Sequence, residues 1–257
     1  MTKRSIYKAC AFVLHTLDYG ESDRIVTFYT DEFGKLKGIA KGARRSRKRF
    51  ANAIDLFSCS TITFSRKNNQ GLAIIENCDV INYYSRIRAD LEKSILASYF
   101  IELTDNFTVE GKKNPQLFQL VRDFLGLIDS GNNPEEIARF FELRLLKLSG
   151  YEPALERCHV CNTPLDKTEN IFFSPLDGGI KCVKCAQNDV SSIPVSIGTI
   201  KMLLMGKEIE ISKIHRLVFS KQSLKESSEI LGSFIRHILG KNLNSLQVLN
   251  KIRKMNM

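Results

Sequence analysis

The stretch DRIVTFYTDEFGKLKGIAK, Asp23 to Lys41, holds two short runs of strand chemistry on either side of a turn. RIVTFYT is rich in β-branched and aromatic residues, Phe33-Gly34 supplies turn chemistry, and KLKGIAK resumes with a period of two. If KLKGIAK is a strand, Lys35, Lys37 and Lys41 share one face with Ile39, and Leu36 and Ala40 take the other. The same pattern extends outward to CAFVLHTL before it and to STITF and LAIIENCDVI after it. Asp18-Tyr19-Gly20 and Arg66-Lys67-Asn68-Asn69 separate these runs as turns. About five strands between Lys8 and Ile81 make a small barrel, and the OB-fold is the small barrel that most often handles oligonucleotides.

After Tyr84 the period changes. Leu91, Ile95, Leu96, Tyr99, Phe100, Leu103 and Phe107 recur at steps of three and four, one face of an amphipathic helix. Asn114-Pro115 announces a second helix, a cap followed by proline at the first helical position. Asn133-Pro134-Glu135-Glu136 opens a third, with acids at the positive end of its dipole, and Gly150 closes it. Residues 151–190 read as irregular, and 196–206, 223–239 and 245–254 as helices again.

The 257 residues carry a formal charge of +10, and the excess is uneven. The net is +6 over residues 1–80, −1 over 81–150, −2 over 151–190 and +7 over 191–257. A basic balance concentrated in this way favours a polyanionic partner, nucleic acid before an anionic membrane surface. No run of apolar residues is long enough to span a bilayer, and the basic N-terminus is followed by no signal-peptide pattern, so a cytoplasmic protein is expected.

The densest charge directly follows the second strand run. In KLKGIAKGARRSRKRF, Lys35 to Phe50, eight of the first fifteen residues are Lys or Arg and none is acidic. A solvated loop is the ordinary fate of such a run, and a nuclear-localisation string or a lipid-headgroup patch are alternatives. Localisation signals lie on tails, whereas this run interrupts a barrel. A headgroup patch needs apolar residues beside the charges, which this loop lacks. Arginines rising beside a lysine-lined strand face instead match the cationic groove that OB-folds offer to single strands, with Phe28, Tyr29, Phe33 and Phe50 as possible stacking groups.

Seven cysteines, an odd number, argue against a disulfide framework. Cys10, Cys59 and Cys78 are scattered in strand-like contexts and read as buried thiols. The other four form Cys158-His-Val-Cys161, twenty intervening residues, then Cys182-Val-Lys-Cys185, at the edge of the spacing for a four-thiolate zinc site. Gly178 and Gly179 supply the turn that returns the second pair to the first. Four thiolates close the coordination shell, which points to a structural ion and away from an activated water. Redox use of either pair lacks its βαβ context, and His159 is assigned a role outside the ligand set. There is no GxxxxGK[ST], no GxGxxG after a strand, no HExxH and no GxSxG, and the deaminase signature is missing, so nothing in the sequence requires an enzyme.

Three segments together, DRIVTFYTDEFGKLKGIAKGARRSRKRF, RFFELRLLKLSGYEPALERCHVC and FSPLDGGIKCVKC, resemble the bacterial recombination mediator family RecO in its zinc-binding branch. The likeness extends over about residues 8–240. It implies an α+β multidomain chain: an N-terminal OB-fold β-barrel over 1–82, an α-helical domain over 83–155 and 191–257, and a four-cysteine zinc-ribbon-like insertion over 156–190. It also implies a non-catalytic role in the RecF pathway of DNA repair and recombination. That role is binding ssDNA and dsDNA, annealing complementary strands and, with RecR, helping to load RecA onto DNA coated by single-strand-binding protein. Carried over by motif, Arg24, Lys35, Lys37, Lys41, Arg44, Arg45, Arg47 and Lys48 become DNA-contact candidates, and Cys158, Cys161, Cys182 and Cys185 the ligands of a structural Zn2+. Arg139, with Arg144 and Lys147 beside it, becomes the candidate dock for the acidic C-terminal tail of single-strand-binding protein. A cytoplasmic, nucleoid-associated protein with no membrane partner follows. The alternative is a zinc-stabilised protein-recruitment adaptor whose basic surfaces take acidic tails.

Overall fold

The computed structural model describes residues 5–46, 48–67, 70–131, 134–164, 170–187 and 189–255. Arg47 of the basic loop, Asn68 and Asn69 of the expected turn, and Asn133 of the expected helix start lie outside the described residues. The chain divides into two compact units, Met1–Asp129 and Ser130–Met257.

In the first unit, five strands close into a barrel of order β1-β2-β3-β5-β4, with β1 over Ser5–Tyr19, β2 over Asp23–Thr30, β3 over Gly34–Ala40, β4 over Cys59–Lys67 and β5 over Gln70–Asn82. This is the expected OB-fold. The length of β1 explains closure. Its first half, Ser5 to Phe12, pairs with β4, and its second half, Ala11 to Tyr19, pairs with β2. A bulge between Val13 and His15 adds the twist that carries one strand from one sheet half to the other. Alternation fills the interior with Ala9, Ala11, Val13, Val26, Phe28, Leu36, Ala40, Ile62, Phe64, Ala73, Ile75 and Cys78.

Glycines fix the tightest points of β3. A Cβ on Gly38 would lie 2.4 Å from Ile75 Cδ1, so only glycine lets β3 approach β5 for its short parallel pairing. Beyond that pairing the strands part, and the segment after the first long helix fills the gap. Lys35 bridges to Glu110, and the Gly111 N–H donates to the Lys35 carbonyl at 3.0 Å. Gly34 has φ +63°, and its missing Cβ would stand 2.2 Å from the Lys112 carbonyl oxygen.

Three helices complete this unit: a single turn α1 over Ser85–Arg88, α2 over Leu91–Phe107 and α3 over Pro115–Ser130. Asp90 caps α2 and Asn114 caps α3, each side chain accepting a first-turn N–H at 3.0 Å. On the outer side of β1 and β2, Phe12 and Tyr29 pack against Phe118 of α3, and the Tyr29 hydroxyl donates to the Asn114 carbonyl at 3.1 Å. Arg88 locks the helices to the barrel. Its guanidinium donates to the carbonyls of Tyr83 and Leu56 and to Ser58 Oγ, and it lies over the rings of Phe57 and Tyr83 at 4.5 and 3.9 Å.

The second unit holds α4 (Pro134–Leu148), a three-stranded sheet of order β7-β6-β8 (β6 Ile171–Ser174, β7 Gly179–Cys182, β8 Ile193–Val195), a turn of helix α5 (Val183–Ala186), and the helices α6 (Ile197–Glu208), α7 (Lys221–Leu239) and α8 (Asn244–Met255). The last three helices fall within two residues of the periodic segments. Periodicity does not reveal the small sheet, because runs of three or four residues are too short to show it. A Cβ at Gly206 would meet the Phe140 ring at 2.0 Å, so glycine sets the contact between α4 and α6. No helix among the described residues is long and apolar enough to cross a membrane.

Candidate nucleic-acid interface and metal centre

The burial of β3 alternates as its sequence requires: Leu36, Gly38 and Ala40 point inward, and Lys35, Lys37 and Ile39 point outward. The outward lysines are not equivalent. Lys35 is 14% exposed, with its Nζ 2.8 Å from Asp105 Oδ1 and also donating to the Asp105 carbonyl, so it anchors β3 to the C-terminal end of α2. A cation there suits the negative end of the helix dipole. Lys37 and Lys41 are exposed and make no ion pair among the described residues.

Arg24 falls on the opposite parity. It stands opposite Ala40 and Asp18 in the ladders, and so at the mouth of the barrel with its Nε 3.0 Å from Asp18 Oδ1. Arg44 reaches the same carboxylate at 3.6 Å, and Arg45 approaches Glu21 at 3.9 Å while three-quarters exposed. Lys48 is exposed without an ion pair among the described residues, and Arg47 lies outside them. The structure therefore gathers Lys37, Lys41, Arg45 and Lys48 as accessible charge, and separates Lys35, Arg24 and Arg44 into local pairs. Sequence reading missed the acids that do this: Asp18 stands near the end of β1, Glu21 sits in the β1–β2 turn, and Asp105 is on a distant helix.

The corner that presents the basic loop is itself held by an acid. The Gly42 N–H donates to Asp23 Oδ1 at 2.8 Å, with Gly42 at φ +69°. That backbone hydrogen bond, together with Ser22 and the Lys41 charge, holds the Asp23 carboxyl below its ordinary range against the opposing effect of burial. Arg49 closes the loop by donating to the Lys41 carbonyl at 3.0 Å while lying over Phe50. Of the possible stacking groups, Phe28, Tyr29 and Phe50 are buried, and Phe33 packs on Tyr7 and Phe64. Tyr19 is the exposed aromatic on this side, at 55%.

In the second unit the four paired cysteines converge, with all their sulfurs within 4.8 Å of one another. Two turns bring them there. Cys158 N–H donates to the Thr163 carbonyl and Asn162 N–H to the Cys158 carbonyl, with Asn162 at φ +64°, which forms the first knuckle. The β6–β7 hairpin delivers Cys182 and α5 delivers Cys185. Cys161 and Cys182 sulfurs are 3.7 Å apart, matching the edge of about 3.8 Å expected for a tetrahedron of 2.3 Å Zn–S bonds. The Cys182 N–H points at Cys158 Sγ at 3.4 Å, a donor that stabilises a thiolate. Hydrogen bonds from Thr163 hold Cys161 down to about 6, whereas Cys185 is pushed up to about 12 by its thiol neighbours. Four sulfurs converging at this spacing fit a divalent ion held by thiolates. By contrast burial pushes the Cys59 and Cys78 thiols up to about 11 and about 12, as befits inert core groups.

The residues of α4 are engaged within their own unit. Arg139 is 3% exposed and pairs with the buried Glu142 at 2.9 Å. The Arg144 guanidinium donates to the carbonyls of Gly206 and Ile209, so it satisfies the C-terminal end of α6. Lys147 meets Glu208 at 2.8 Å and keeps 40% of its side chain exposed.

The family model described as Recombination protein O N terminal matches residues 1–84, and that described as Recombination protein O C terminal matches residues 88–247. A DNA repair protein RecO from Syntrophus aciditrophicus is 49% identical over 259 residues, covering 99% of each chain. A DNA repair protein RecO from Geobacter metallireducens is 35% identical, covering 94% of this chain and 96% of its own. One from Dehalococcoides mccartyi is 32% identical over the whole of both chains.

Proposed function

The chain belongs to the RecO family of DNA repair proteins, and from that premise we propose that it binds single- and double-stranded DNA through the outer face of β3 and the loop after it, and anneals complementary strands there. The observation that carries this is the group Lys37, Lys41, Arg45 and Lys48, exposed along one strand face and one loop with no strong internal ion pair. Annealing needs two phosphate backbones close together with base edges free. A positive surface screens their repulsion and contacts phosphate without occupying those edges. No catalytic step is required. In cells this places the protein in recombination with RecR as partner, helping RecA onto DNA coated by single-strand-binding protein, in the cytoplasm at the nucleoid.

The four-cysteine centre holds a structural Zn2+ in this reading, and supplies stability to its unit rather than chemistry. The acidic tail of single-strand-binding protein meets α4 through Lys147, exchanging with Glu208, while Arg139 and Arg144 hold the helix in position. The DNA reading is checked by strand annealing with the purified full chain. Lys37→Glu with Lys41→Glu and Lys48→Glu is expected to abolish annealing and to weaken single-strand binding by more than about tenfold at low salt. Unchanged annealing by that variant sinks the proposed surface.

A further inference from the structure

The barrel carries an apolar row on the same outer face, and the ladder registers define it. Leu17 stands opposite Ile25, Ile25 opposite Ile39, and Ile39 beside Ile74, so one aliphatic residue from each of β1, β2, β3 and β5 falls in a line across the strands. Leu17 is 55% exposed, the three isoleucines are half-buried, and Leu72, two residues before Ile74, is 46% exposed. With neighbouring strands about 4.8 Å apart, the row is about 14 Å long. His15, Thr27 and Lys37 form the next row on one side, and Tyr19 opposite Asp23 flanks it on the other, with Lys41 following directly on the end of β3 and its charge acting on Asp23. The aliphatic line thus runs between two exposed lysines.

We propose that Leu17, Ile25, Ile39 and Ile74 form a base-contact platform for single-stranded nucleic acid, with Lys37 and Lys41 holding phosphates on its two sides. This rests on the DNA-binding reading above and names the form of nucleic acid that the face takes. A duplex hides its base faces in the stack and offers phosphates and groove edges, so only unpaired bases can lie on an aliphatic strip. Phe28, Tyr29 and Phe50 are buried, so the row itself is aliphatic and Tyr19, 55% exposed at its edge, is the aromatic beside it. Exposed Arg45 and Lys48 follow Lys41 within seven residues of chain, and cations distributed in this way suit an evenly charged polymer better than an acidic peptide whose charge is local.

Anisotropy titrations of the full chain with oligothymidylate and with an abasic strand of equal length and phosphate count test this. The wild type is expected to prefer the base-bearing strand by about fivefold, which corresponds to burying roughly 40 Å² of aliphatic surface under a base. Leu17→Ser with Ile39→Ser should remove that preference and leave the salt slope intact, and Leu17→Ser alone, at an exposed site, should reduce it without touching the core. Lys37→Gln with Lys41→Gln should weaken both strands alike and lower the slope. Equal binding of the two strands by the wild type, or a preference that survives the serine variants, overturns the platform while leaving the DNA surface standing. Lysine variants that change neither strand overturn both. Serine variants that alter only self-association or binding of poly-glutamate assign the row to a protein partner and overturn the proposal.

Discussion

Arg139 and Glu142 face each other on α4 at 2.9 Å, with their side chains 4% and 0% exposed. At sequence level these residues read as charges on a helix face, because period alone cannot say that a helix is covered on both sides. Removing one partner takes away the counter-ion 2.9 Å from a buried charge, which costs about 3–5 kcal/mol. Arg139→Ala is therefore expected to lower denaturant stability by about 3 kcal/mol, and Arg139→Met with Glu142→Leu to recover most of it. Glu226 is a second residue whose role was invisible in sequence. It accepts from Ser196 N–H, Ser196 Oγ and Thr199 Oγ1 at the N-terminus of α6, nearly thirty residues away. Burial opposes its ionisation, and the hydrogen bonds from Thr199, Ser196 and Gln222 outweigh it, holding the carboxyl at about 2. A carboxyl depressed in the folded state stabilises above its unfolded value and loses that contribution as pH falls through the folded one. Glu226→Ala should cost about 1 kcal/mol at pH 7. The gap from wild type should close between about pH 5 and pH 2, as read by melting temperature against pH.

Strands and long helices were legible because their periods survive in sequence. The five barrel strands and the last three helices lie where alternation and three-to-four spacing put them, and Asn114 caps α3 as its position ahead of Pro115 requires. The β6–β7 hairpin was legible only through its cysteines and glycines, since four-residue strands carry no period. Metal chemistry links this element to stability. As purified, the chain is expected to carry one zinc ion, measured by plasma mass spectrometry. Cys158→Ser with Cys161→Ser should lose it and melt at lower temperature, because binding energy at such a centre is folding energy. Full metal content in that variant removes the cysteines as the ligands.

For the whole molecule, the charge layout is the property that the sequence states most directly, with net +6 in residues 1–80 and +7 in 191–257. If phosphate contacts dominate binding, single-strand affinity should fall linearly in a plot against log salt, with about −0.7 in slope for each phosphate neutralised. With Lys37, Lys41, Arg45 and Lys48 as contacts, a slope of about −3 is expected from this face, and a slope of about zero contradicts it. Composition could count these charges but not sort them, since an ion pair depends on which acid the fold brings near.

DRIVTFYTDEFGKLKGIAK by itself determined that a barrel strand faces its lysines outward, because side chains alternate by two wherever one face is buried. The cysteine spacing likewise determined a four-sulfur cluster, because two-residue knuckles can close on one point. Only the tertiary structure decided that Lys35 belongs to Asp105, Arg24 to Asp18 and Arg139 to Glu142, and that Leu17, Ile25, Ile39 and Ile74 align. Those relations depend on strand register, on helix packing and on which faces become covered, none of which a local period encodes.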